Sequence, residues 1–213
     1  VTIENNLIDH IGNTAIAING EWSMPNQSND HQIKNNHIHH TGILVPSARG
    51  IRISNSSNNL IAHNLFHDIP KGAIAIGGLG LDEEPGASNN VVEFNEVHNV
   101  LQDSQDMGPI YFGGAGPDNV IHNNYLHDIY GLFSFHGGIY MDQGSRGYYI
   151  TNNLVENLGL QGGGRINGLI NAADIETIIR NNFLVQNNVQ LSSAILPREY
   201  SIEQASAETN AAA

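Results

Sequence analysis

The stretch Ile121-His-Asn-Asn124-Tyr-Leu126 decides how this chain folds, because it is one of seven copies. An aliphatic residue three before an asparagine and an apolar residue two after it recur in Ile3-Glu-Asn-Asn6-Leu-Ile8, Ile33-Lys-Asn-Asn36-His-Ile38 and Ile61-Ala-His-Asn64-Leu-Phe66. The pattern continues in Val92-Glu-Phe-Asn95-Glu-Val97, Ile150-Thr-Asn-Asn153-Leu-Val155 and Ile179-Arg-Asn-Asn182-Phe-Leu184. The asparagines are 30, 28, 31, 29, 29 and 29 residues apart. A register kept over that distance means one coil stacked on itself.

Each phrase is short, β-branched and bordered by Gly, Asn or Ser, the pattern of a strand and not of a helix. A second strand follows within the coil, as in Gly50-Ile-Arg-Ile53, Ala73-Ile-Ala-Ile76, Gly108-Pro-Ile-Tyr111, Gly138-Ile-Tyr-Met141 and Gly168-Leu-Ile-Asn171. Equivalent positions should stack about 4.8 Å apart, so the aliphatic residues form columns inside. Each Asn should pass an amide N–H to the side-chain carbonyl of the Asn in the next coil, pairing polar groups that burial would otherwise strand. The expected fold is all-β: a right-handed, single-stranded parallel β-helix (a solenoid) of about seven coils with an Asn ladder. A leucine-rich repeat shares the ladder and a similar period, but the run Leu-x-x-Leu-x-Leu is missing. One domain is expected over residues 1–197, with a small, polar tail over 198–213. The chain starts inside a repeat phrase, so a piece of a longer protein is expected.

Acidic residues outnumber basic ones by 21 to 8, a net charge of −13. That balance disfavours nucleic acids and anionic membranes as partners, and weighs against strongly anionic polysaccharides. The eight cations look scattered. Without cysteine there are no disulfides or thiolate metal sites. No apolar run approaches the roughly 20 residues that span a bilayer. An extracellular or periplasmic monomer is expected, its export signal outside this stretch.

In a solenoid, function sits where one coil departs from the others. Three residues after the first aliphatic of the second strand stand Asn19, Ser54, Gly77, Gly113, Asp142 and Ala172, of which one is charged. Four residues before that aliphatic stand Ser47, Pro70, Asp106 and Phe135, again with one charge. The two odd acids belong to adjacent coils. With Ile139 and Met141 in the core, alternation turns Tyr140 and Asp142 the other way. Two nearby carboxyls are what glycoside hydrolysis requires, one protonated and one ionised. Asp residues in turns can equally serve only the local backbone. Nine of the fourteen aromatic residues fall between Tyr111 and Tyr149. Their flat faces suit the C–H faces of sugars. Tyr111, Tyr140 and His136 are the expected substrate wall, and Arg146 the candidate partner that keeps Asp142 ionised.

The phrases Asp106-Met-Gly-Pro-Ile-Tyr111, Asn124-Tyr-Leu-His-Asp128 and Gly138-Ile-Tyr-Met-Asp142 resemble the β-helical carbohydrate-active enzymes of the pectate-lyase-like superfamily. Within it they are most similar to glycoside hydrolase family 141, which includes α-L-fucosidase and xylanase activities. The specific resemblance covers about residues 100–155. It implies a hydrolase of poly- or oligosaccharides with Asp106 and Asp142 as the catalytic pair and no cofactor. Two alternatives stay open: a lyase or epimerase of uronic acids, and a non-catalytic glycan-binding or structural solenoid.

His39, His67, His98 and His127 each stand three residues after a ladder Asn, with Asp9 and Glu156 in the same column. An outward hydrogen-bonded ridge is the expectation. His37-Ile-His39-His40 reads as a run of alternating directions, so no clean metal site is expected. Asp82-Glu-Glu84 lies in an insertion read as a cleft wall, and Trp22 in a loop read as a distant sugar platform.

Overall fold

The structure is a computed structural model that describes residues 1–20, 28–77, 87–104, 106–114, 116–131, 137–142, 144–159, 170–171 and 177–185. Among them every regular element is a short strand, and every strand pairing is parallel. The strands form three sheets of seven, seven and six members, the last one fewer than seven coils would supply. Each of the first six coils contributes one strand to each sheet in turn, and the seventh, among the described residues, contributes to the first two. The repeat phrase itself makes two of them. In the phrase around Asn124, Val120–His122 lies in the first sheet and Tyr125–Ile129 in the second. Ile110–Gly113 and Ile139–Met141 lie in the third.

A single residue turns the corner between the first two strands. Asn5, Asn35, His63, Phe94, Asn123, Asn152 and Asn181 occupy it with φ between 51° and 59°. That left-handed conformation suits the short polar Asn side chain, which explains the Asn-Asn pairs. The second Asn of each pair forms the ladder. Its Nδ2 donates to the Oδ1 of the next, over 2.9 Å from Asn6 to Asn36 and 3.0 Å from Asn95 to Asn124. The last rung, Asn153 to Asn182, measures 2.8 Å. The same Nδ2 reaches back to a backbone carbonyl of the preceding coil, as from Asn95 to Ile61 over 2.9 Å. Asn36, Asn64, Asn95, Asn124 and Asn153 are buried. A second ladder, Asn59 to Asn90 to Asn119, runs at the corner before the first sheet with rungs of 2.7 and 3.0 Å.

Between the ladders the described interior is lined by apolar side chains. Ile33, Ile61, Val92, Ile121 and Ile150 form one fully buried column; Ile38, Phe66, Val97, Leu126 and Val155 form another. The third sheet adds Ile51, Ile53, Ile74, Ile76, Ile110, Phe112, Ile139 and Met141. Each buried aliphatic or aromatic side chain contributes about 1.5–3 kcal/mol relative to exposure. These columns hold the outward faces of the sheets rigid.

Candidate active site

The third sheet sets the site. Its outward positions, between the core residues of each strand, are Ala17, Arg52, Ala75, Tyr111 and Tyr140, aligned in register from coil to coil. Asp142 follows the end of Ile139–Met141, and its N–H bonds the Phe112 carbonyl at 2.7 Å, continuing the pairing of the strand. Asp106 precedes the neighbouring strand. It is exposed and has φ of 53°, a left-handed corner that Pro70 in the equivalent position cannot adopt.

The two acids are joined through crossed tyrosines. The Tyr111 hydroxyl, in the coil of Asp106, donates to Asp142 Oδ2 of the next coil at 2.7 Å. The Tyr140 hydroxyl, in the coil of Asp142, donates back to Asp106 Oδ1 at 2.7 Å. The two rings stack with centroids 5.7 Å apart and planes 24° from parallel. Burial, then the bond to Asp142, pushes the Tyr111 phenol well above its ordinary range. Burial and Asp106 do the same to Tyr140. Both hydroxyls therefore stay protonated donors at any working pH, and both carboxyls are anchored to one pair of rings.

Residues 1–188 match the family described as the right handed beta helix region. The chain belongs to that family. A solved structure of a glycoside hydrolase superposes on it with a TM-score of 0.65 at 17% identity. The match covers 88% of this chain and 34% of the other, so this β-helix spans about a third of that protein's length. No curated protein matches the sequence.

Along the same sheet this β-helix gathers three of its cations. Arg49, Arg52 and Tyr111 line an open groove of about 200 Å³ with Ser54, Ala75 and Gly77. Burial, and then the positive field of Arg52, lowers the pKa of Arg49. Its Nε is shielded from solvent and has no hydrogen-bond partner among the described residues. Burial and Arg49 lower the pKa of Lys71, while Asp106 draws it back up. Cations that look scattered in the sequence thus cluster along the third sheet, with Lys71 reaching the field of Asp106, and that corrects the expectation. Spacing hid it, because loops of unequal length separate the second strands of successive coils.

The other expectations divide. Tyr111 and Tyr140 stand beside the acids, though Tyr140 is only 5% exposed and acts through its hydroxyl, not as an open platform. Arg146 is exposed, and among the described residues no ion pair joins it to Asp142. Tyr111 reaches that carboxylate instead. His136, Trp22 and Asp82-Glu-Glu84 lie outside the described residues.

On the second sheet the histidine column stacks as a ridge. His39 on His67, His67 on His98 and His98 on His127 lie 4.7, 4.9 and 4.9 Å apart with nearly parallel planes. The residue after each column position, from His10 and His40 to Asp68, Asn99, Asp128 and Asn157, bends the chain with φ of 47–53°. That bend explains the recurring His-Asp pairs: Asp68 and Asp128 turn back to hold His67 Nδ1 and His127 Nδ1 at 2.7 and 2.9 Å. The run at His37 alternates in direction, as expected, about buried Ile38. His37 and His39 flank buried Ile38 and share the outer face.

Proposed function

We propose that this β-helix hydrolyses glycosidic bonds of a poly- or oligosaccharide, with Asp106 and Asp142 as the reacting carboxyls. The observation that carries the reading is the crossed pair of Tyr–Asp hydrogen bonds, which fixes two acids of adjacent coils against one ring stack. In such a site one carboxyl, protonated, gives its proton to the leaving oxygen. The other, ionised, attacks the anomeric carbon or activates a water. A tyrosine hydroxyl stabilises whichever carboxylate is charged, because hydrogen bonding to the charged form favours it. A glycan lying along the coil axis would pass over Ala75, whose short side chain leaves room. It would meet Arg52 two strand spacings from Tyr111, about 10 Å away. The shared fold with a glycoside hydrolase supports the same class.

Asp106→Asn and Asp142→Asn test the reading, since each keeps the shape and removes the titrating group. Each should lower kcat about 10²–10⁴-fold on any glycan that the wild type cleaves, with an unchanged circular dichroism spectrum. Full activity in either variant rejects the assignment.

One observation favours a second reading, a lyase of uronic acids. Arg49, Arg52 and Lys71 could neutralise a sugar carboxylate while a base removes the neighbouring proton. The tyrosines, with raised pKa values, are poor bases for that step. Unsaturated, ultraviolet-absorbing products from alginate or pectin would select this reading over hydrolysis.

A further inference from the structure

We propose that His37, His39 and His67 form a site for a divalent transition-metal ion of the zinc class, on the outer face of the second sheet and separate from the acid pair. His37 and His39 stand two residues apart on His37–Thr41, and His67 lies opposite His39 on the neighbouring strand Leu65–Ile69. All three are half-buried, and one ligand nitrogen from each falls within 4.8 Å of the others. The imidazoles therefore converge from two strands of a rigid sheet and need no loop to close over them.

The tautomers are arranged for the task. Asp68 Oδ2 sits 2.7 Å from His67 Nδ1 and accepts a hydrogen bond from its N–H, which leaves the lone pair on Nε2. That Nε2 faces His37 Nε2 at 2.7 Å. Two nitrogens so close share one proton at most, and an ion between them would replace it. A tetrahedral ion about 2.0–2.1 Å from each nitrogen needs them about 3.4 Å apart, so small ring rotations suffice. A carboxylate behind a ligating histidine fixes the ring and raises its basicity.

A second observation points the same way. The Asp9 side chain is one-third exposed, but its Oδ1 is turned away from water and, among the described residues, makes no hydrogen bond of good geometry. Yet it lies 2.7 Å from His10 Nδ1, 2.9 Å from His39 Nδ1 and 3.5 Å from His40 Nδ1. A carboxylate oxygen turned in among imidazoles favours positive charge beside it. An ion on His39 Nε2 supplies that charge and holds the Nδ1 proton toward Asp9. Three imidazoles leave one coordination position for water. Nitrogen donors of this kind suit zinc, copper and nickel, not calcium or magnesium. Since His37 and His39 stand in one coil and His67 in the next, the ion would clamp those two coils together.

The test uses the full chain with any affinity tag removed and chelator dialysed away. Zn²⁺ is titrated by calorimetry, and Co²⁺ by its visible absorption. One ion should bind per chain and raise the melting temperature. His37→Ala should abolish binding, and so should His67→Phe, which keeps the ring stack while removing both nitrogens. Asp68→Asn should weaken binding about 10–100-fold. The double change His10→Ala with His40→Ala should leave one tightly held ion. No binding by the wild type overturns the proposal. So does binding that survives His37→Ala and His67→Phe in chains folded by circular dichroism, or binding lost with His10 and His40.

Discussion

Replacing Asn95 by alanine probes the ladder at its centre. Asn95 is 1% exposed. Its Oδ1 accepts from the backbone N–H and from Nδ2 of Asn64, both at 3.0 Å. Its Nδ2 donates to the Ile61 carbonyl at 2.9 Å and to Asn124 Oδ1 at 3.0 Å. Alanine deletes all four bonds and strands two donors of Asn64 where no water reaches. At about 1–3 kcal/mol for each stranded group, the loss is about 2–6 kcal/mol. Against a total stability of about 5–15 kcal/mol, that is a large share. Asn6 makes the same kind of contact in an exposed coil. There water takes over the freed groups, and Asn6→Ala should cost only about 0.5–1.5 kcal/mol. Urea unfolding followed by far-ultraviolet circular dichroism measures both, as a shift in midpoint at an unchanged slope. Equal losses at the two positions, or less than about 1 kcal/mol at Asn95, would refute the idea that burial gives the ladder its strength.

Two further outcomes are expected. Tyr111→Phe and Tyr140→Phe each remove a hydrogen bond to a carboxyl worth about 1.5–3 kcal/mol, so kcat should fall about 10–100-fold while the fold stays intact. Because the two rings stack, the double variant should fall short of the product of the single effects, and strict additivity would count against a coupled unit. In chelator, stability should drop as pH falls below about 6.5, the ordinary histidine value. Burial, with repulsion from neighbouring imidazoles, holds His37, His39 and His98 below that value in the folded chain. The unfolded chain takes up their protons first, so their penalty is absent above that pH and grows below it. His98→Gln should flatten the slope of melting temperature against pH; an unchanged slope refutes the contribution of His98.

The coil was legible because ladder chemistry must fall at the same angle in every turn. Asn64, Asn95 and Asn124 can satisfy one another only in register, so their spacing carried the architecture. Alternation was equally firm: Ile139 and Met141 had to point inward, which turned Tyr140 outward and Asp142 toward the same edge. The crossing of Tyr111 to Asp142 and of Tyr140 to Asp106 was not legible. It depends on how far a phenol reaches across one strand spacing, and no spacing in the sequence records that. The convergence of Arg49, Arg52 and Lys71 escaped for a related reason. Second strands recur less regularly than ladder asparagines, and charge tallies ignore which face a residue takes. The second ladder left a signal that could have been read: Asn59, Asn90 and Asn119 each directly precede the first strand of a phrase.

The Asn ladder also gives the solenoid a polarity. Along the ladder each side-chain amide points one N–H toward the later coil and its oxygen toward the earlier one. Amide dipoles of about 3.5 D set head to tail do not cancel, and each polarises the next. The N–H and C=O groups of neighbouring parallel strands alternate in direction and leave that vector uncompensated. The stack therefore behaves as an oriented rod, positive toward its later turns. A coil docked upside down would set oxygen against oxygen.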